Sequence, residues 1–201
     1  MLNHEGNSDL KDVWSWHGSD KPYTPKQFYV SRFINHTFNP VLTWIWRSCC
    51  TMKIKVFAWM LIMDRLNTKD MVERRHWHID DGVNCVLCPT HTREDRDHLF
   101  FNCNFSQRVW NFLQIDWEAG NDMSQIVLNA RRNFAHPFFA EVVFTACWNI
   151  WIIRNGKVFR KERPSFNRWR GAFVNDMLLL SHRIKVRYKE GLIRWVSFLP
   201  P

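Results

Sequence analysis

Cys85-Val86-Leu87-Cys88, His98 and Cys103 form a C-x2-C-x9-H-x4-C pattern within nineteen residues, and together these residue types bind a soft or borderline metal ion. A Cys-x-x-Cys turn sets two thiolates on one side of a tetrahedral zinc, so the other two ligands must come from a segment folded back over it. His98 and Cys103, five residues apart, can supply them, with His91 as the rival imidazole. Four ligands with no open position describe one structural Zn2+ site rather than a catalytic one. The competing reading is a reduced protein with buried thiols and a surface histidine. Glu94 and Asp97 are candidate acceptors for the second ring nitrogen of a ligating histidine. His91 with Asp95, or a thiolate activated by His98, can be drawn as catalytic pairs, but both fall inside the metal loop. No enzymatic activity is expected.

The elements that must position this loop read as helices. Thr24-Pro25-Lys26-Gln27 has the form of a capping box and opens a helix over about Pro25 to Asn35. Ile54, Phe57, Ala58, Leu61 and Ile62 recur at helical spacing in what reads as the central buried helix. Thr68 caps the next helix, with Asp70 and Glu73 in its first turns, Met71 and Val72 facing inward, and its end near Trp77. Ser106 caps a helix carrying Val109, Trp110 and Leu113. The metal would therefore pin the loop from Asp81 to Asn102 between two helices. A short helix runs from Met123 to Arg132. Pro137 opens a longer one with two apolar stripes, Phe139, Val143, Ala146, Ile150 and Ile153, and Phe144, Cys147 and Trp151, which Asn155-Gly156 ends or interrupts. From Pro164 a last long helix carries Trp169, Phe173, Met177, Leu180 and Ile184 on one face. Residues 10–20 read as a short strand and turn. The fold class is mostly α: a helical domain with that N-terminal element, a small zinc-stabilised loop and two long C-terminal helices.

Charge narrows the partners. The chain carries a formal +9; residues 1–150 hold 16 Lys+Arg against 16 Asp+Glu, and residues 151–201 hold 12 against 3. A basic C-terminal segment points to an anionic partner, RNA or DNA first, through Arg168, Arg170, Arg183, Lys185, Arg187 and Lys189. The metal loop, with Glu94, Asp95 and Asp97 against Arg93 and Arg96, is a poor phosphate contact. The twelve tryptophans and sixteen phenylalanines are expected mainly in the core, with the remainder open to a protein partner. Cys49, Cys50 and Cys147 do not read as a disulfide framework and place the chain in a reducing, intracellular compartment. Met1 to Leu10 is polar and reads as no signal peptide. Phe138 to Ile153, broken by Glu141 and Asn149, falls short of the roughly 20 residues of a membrane span, so no membrane association is expected.

The order of aromatic, basic and ligand positions resembles a known family. Trp14-Ser15-Trp16 before Gly18, Tyr23-Thr24 ahead of Phe28-Tyr29, and Trp44-Ile45-Trp46 leading into Lys53-Ile54-Lys55-Val56-Phe57-Ala58-Trp59 carry the first part. Arg65-Leu66-Asn67-Thr68-Lys69-Asp70, the Cys85/Cys88 turn, Glu94-Asp95-Arg96-Asp97-His98-Leu99-Phe100-Phe101-Asn102-Cys103 and Val109-Trp110 carry the rest. Over roughly residues 10–115 this is similar to the plant reverse-transcriptase zinc-binding domain, with a helical extension over 123–199. The resemblance implies Cys85, Cys88, His98 and Cys103 as ligands, with His98 preferred over His91. It also implies an origin at the C-terminal end of a non-LTR retrotransposon polyprotein, here as an isolated reading frame. Trp148-Asn149-Ile150-Trp151 and Arg154-Asn155-Gly156-Lys157 look like the segment downstream of the domain in such polyproteins. The only Asp-Asp, Asp80-Asp81, lacks the tyrosine-containing setting of a polymerase metal hairpin, and no polymerase, endonuclease or ribonuclease H motif is legible. The expected function is an accessory nucleic-acid-binding module; the alternative is a protein-interaction or relic domain with no nucleic-acid role.

Overall fold

In the computed structural model the described residues are 24–33, 39–78, 82–118 and 123–200. The chain divides into two compact units, Met1–Phe38 and Asn39–Pro201. In the first, α1 (Pro25–Phe33) opens on a reciprocal capping box: the Gln27 N–H donates to Thr24 Oγ1 and the Thr24 N–H to Gln27 Oε1, both at 3.2 Å. The expected strand and turn over residues 10–20 lies outside the described residues.

The second unit is helical, with no strand among the described residues beyond a single antiparallel bridge between Asn84 and Arg93. Its helices are α2 (Pro40–Arg47), α3 (Met52–Ile62), α4 (Lys69–Arg74), α5 (Asn104–Leu113), α6 (Met123–Asn133), α7 (Phe139–Arg160), α8 (Phe166–Leu180) and α9 (Val186–Ser197). A single π-helical turn, His98–Asn102, precedes α5. The mostly helical fold class read from the sequence is what the chain adopts.

The central helix is α7, not α3. Thirteen of its 22 residues are buried, and it packs on α8 along one side and α3 along another. Both apolar stripes are therefore used, as two-sided burial requires. By contrast α3 buries one face, Ile54, Phe57, Ala58, Leu61 and Ile62, and turns Met52, Val56, Trp59 and Met63 to solvent. Aromatic rings join α3, the π turn and α7: Phe57 lies edge-on to Trp148 at 5.3 Å and to Phe100 at 6.0 Å, and Trp151 stands 6.3 Å from Phe100. On α8 the fully buried Trp169 stacks on Phe173 at 5.1 Å, and its indole N–H donates to the Ala146 carbonyl at 3.2 Å. A buried indole with a satisfied N–H contributes its full apolar area at no polar cost.

Two helix boundaries and one buried face differ from the sequence reading. Gly156 does not end α7, which runs to Arg160; Lys161 takes the left-handed C-cap (φ 56°) and the Glu162 N–H returns to the Gly156 carbonyl at 3.1 Å. A Cβ there would lie 2.8 Å from Glu162 Oε2, the end of a flexible side chain. The stretch after Pro164 is two helices: α8 stops at Leu180, where the Ser181 hydroxyl donates to the Leu178 carbonyl at 2.6 Å. In α4 it is Lys69 and Asp70 that are buried, with Met71 and Val72 only half-buried, because the helix N-terminus is gripped by the metal loop. Thr68 does cap α4, accepting from the Met71 N–H at 3.3 Å. Thr68→Ala is expected to cost about 1 kcal/mol, read as a lower urea midpoint at unchanged slope.

Candidate metal centre

The donor atoms of Cys85, Cys88, His98 and Cys103 all lie within 4.8 Å of one another. Two local devices bring them there. The first is the loop bearing Cys85 and Cys88, folded by the isolated bridge: the Cys85 N–H donates to the Thr92 carbonyl at 2.8 Å and the Glu94 N–H to the Val83 carbonyl at 2.9 Å. Inside it the Leu87 N–H points at Cys85 Sγ at 3.4 Å, and His91 takes a left-handed φ of 51°. The second is the π turn. Its closing bond runs from the Cys103 N–H to the His98 carbonyl at 2.6 Å, so the two ligands are the two ends of one wide turn. The next two carbonyls, Leu99 and Phe100, accept from Ser106 Oγ at 2.5 Å and Trp110 Nε1 at 2.7 Å. Ser106 thus sits inside α5 and braces the turn, while Cys103 itself is the N-cap.

The geometry suits a metal. Cys85 Sγ and Cys103 Sγ are 3.8 Å apart and Cys88 Sγ lies 3.3 Å from His98 Nε2. A tetrahedral zinc at ordinary bond lengths would set two sulfurs about 3.8 Å apart and a sulfur–nitrogen pair about 3.6 Å apart. Cys103, Cys85 and His98 are buried and Cys88 is half-buried. The contact with Cys103 raises the Cys85 pKa, with burial adding to it; the same contact lowers that of Cys103, helped by the Phe105 N–H at the start of α5. Burial holds the His98 pKa below its usual value, against the opposite pull of Asp95 and Glu94. Neutral imidazole and thiolate are the forms that bind metal. The rival His91 is exposed and outside the cluster.

Glu94 and Asp97 do not serve as the expected acceptors behind the histidine. Asp97 pairs with Arg96 at 2.7 Å. Glu94, fully buried, turns away to a second anchor: its Oε1 accepts from Arg154 Nη2 at 2.6 Å, Arg154 Nε at 3.0 Å and the Lys69 N–H at 3.1 Å. Its backbone carbonyl takes the Asp70 N–H at 3.1 Å. One residue of the metal loop therefore caps α4 and pairs with a buried arginine of α7, which lies 4.8 Å over the Trp151 ring. Arg154 continues the Phe144–Cys147–Trp151 stripe, and a charge at a core position was the available signal for this pair. The loop's remaining charges are largely spent internally, Arg93 bridging Asp70 at 2.6 Å and Glu73 at 2.5 Å.

Residues 23–110 match the family model described as zinc-binding in reverse transcriptase. The matched segment, less than half of the chain, is similar to that domain family. All four donors fall within the segment that matches the reverse-transcriptase zinc-binding domain, and Arg154 falls outside it. No curated protein and no solved structure matches the chain significantly. Beyond this domain the expected nucleic-acid residues are dispersed: Arg168 and Arg170 on α8, Arg183 in the turn after it, Lys185 as the N-cap of α9, and Arg187 and Lys189 on α9. Arg168 is paired with Glu162 at 2.7 Å, and Arg170 is half-buried, 5.9 Å from the Phe112 ring centre. They do not form one basic helical stripe. No helix among the described residues is long and apolar enough to cross a membrane.

Proposed function

We propose that the chain is a retroelement-derived, non-catalytic accessory module in which one structural zinc is held by Cys85, Cys88, His98 and Cys103 and RNA or DNA is bound by cations of the last fifty residues. The carrying observation is the closed donor set, three sulfurs and one imidazole within 4.8 Å. Such ligands favour zinc over hard cations and leave no position for water or substrate. Zinc would supply a fixed cation that neutralises the thiolates and locks the loop to α5. An intracellular setting suits six free thiols, and the resemblance to plant non-LTR retrotransposon domains supports the origin. The nucleic-acid half is supported by the excess of 12 Lys+Arg over 3 Asp+Glu in residues 151–201. Elemental analysis of protein purified without added metal should return one zinc per chain; a folded, zinc-free preparation would overturn the metal assignment. For the second half, random single-stranded RNA and DNA are expected to bind with affinity that falls as salt rises. Salt-independent or absent binding would remove it.

A second reading, a protein-interaction role without nucleic acid, is favoured by the outer face of α3. Met52, Val56, Trp59 and Met63, at spacings of four, three and four, lie on one side of the helix and are 40–64% exposed. A seam of this kind on a surface helix is what a partner helix would cover.

A further inference from the structure

We infer that a single-stranded polynucleotide is bound in a cationic cleft formed by the end of α2, the start of α7 and the α8–α9 turn, rather than along the face of α8. This rests on the nucleic-acid reading above and gives it a location. The cleft has a volume of about 420 Å³, within the range of pockets that hold one small-molecule-sized group. Arg47, Arg183, Lys185 and Tyr188 line it.

Six other arginines of this unit are matched to acids: Arg74 with Asp70, Arg93 with Asp70 and Glu73, Arg96 with Asp97, Arg154 with Glu94, Arg160 with Glu162, and Arg168 with Glu162. The three cations of the cleft are exposed, and none has an ion-pair partner among the described residues. Glu141, the one acid lining the cleft, is buried, and its Oε1 is already taken by the Cys49 N–H at 3.0 Å. Three positive charges against one carboxylate leave this concavity with a net positive field, which an anion relieves.

Tyr188 adds what a bare phosphate site lacks. Its ring shares the cleft with the cations and lies 4.6 Å from the Arg187 guanidinium. Backbone charges flanking an aromatic platform are the recurring arrangement for single strands, where phosphates meet Arg or Lys and a base stacks on the ring. Arg47 comes from the segment before the metal loop, Arg183 and Lys185 from well after it, so the fold, not the local sequence, assembles this site.

The test uses the full chain loaded with zinc, fluorescently labelled single-stranded RNA and DNA of random sequence, and three proteins: wild type, Arg47→Ala/Arg183→Ala/Lys185→Ala, and Arg168→Ala/Arg170→Ala. The cleft variant should unfold at a temperature close to that of wild type, since its substituted side chains are exposed, and binding by the Arg168/Arg170 variant is measured below its own melting temperature. The cleft variant is expected to bind at least tenfold more weakly, with the slope of log affinity against log salt shallower by about 2, the value for three lost phosphate contacts on a single strand. Tyr188→Ala is expected to weaken binding about fivefold or more without changing that slope. Wild-type binding left intact in the cleft variant, or lost equally in the Arg168/Arg170 variant, overturns the location while nucleic-acid binding stands. Failure of wild type to bind either strand overturns both.

Discussion

Cys103→Ser is expected to lower the stability of the second unit by several kcal/mol, and a strong chelator should do the same to the unaltered protein. Zinc binding energy is folding energy wherever the unfolded chain holds no preformed site. Cys103 occupies the point where this coupling is greatest, because the same residue is a proposed ligand, the end of the π turn and the N-cap of α5. At this chain length each kcal/mol corresponds to about 2–4 °C in melting temperature, so a fall of about 10 °C or more is expected by calorimetry. Chelator should add nothing further to Cys103→Ser, because the two treatments remove one interaction. Cys88→Ser, at the half-buried ligand, should cost less. Acid acts in the same direction: His98 has a folded-state pKa depressed below 6.5 by burial, so the unfolded chain binds the proton more tightly. Stability from this group is complete above the unfolded value and is lost as pH falls through the folded one. A melting temperature insensitive to chelator would sink the structural-metal assignment.

Arg154→Met is expected to cost about 3–5 kcal/mol by leaving the fully buried Glu94 carboxylate without its cation. Removing one member of a buried pair strands the other, whereas replacing both with apolar groups of similar size is often neutral. Arg154→Met/Glu94→Leu should therefore recover part of the loss through the pair, limited by the Lys69 N–H that Glu94 also satisfies. Urea unfolding of the two single variants and the double variant supplies the coupling energy. A coupling near zero would show that Arg154 serves by packing on Trp151 alone.

The cluster of Cys85, Cys88, His98 and Cys103 was legible because its donors are close in sequence and their chemistry is narrow. Caps were legible for the same reason: Thr24 and Thr68 act within three residues of themselves. What the sequence hid is what depends on distance or on choice between partners. Glu94 reads as an acceptor behind the ligating histidine, yet it finds Arg154 sixty residues away. Asn155-Gly156 carries a helix-stop signal, but α7 runs through it to Arg160. The break between α8 and α9 has neither proline nor glycine to announce it, and the apolar spacing runs through it to Ile184. Position along the chain also obscured Arg47, which acquires a basic setting only when α2 meets the α8–α9 turn.

The aromatic junction of Phe57, Phe100, Trp148 and Trp151 bears on where this domain physically ends. A fragment cut at Trp110, where the family match stops, would keep every metal donor yet lose the helix that covers two of those rings. Its exposed face would be greasy and would hold an orphaned acid in Glu94, conditions that favour clumping over folding. The smallest piece of this protein able to keep the four donors in an ordered loop is thus set by α7, not by the donors themselves.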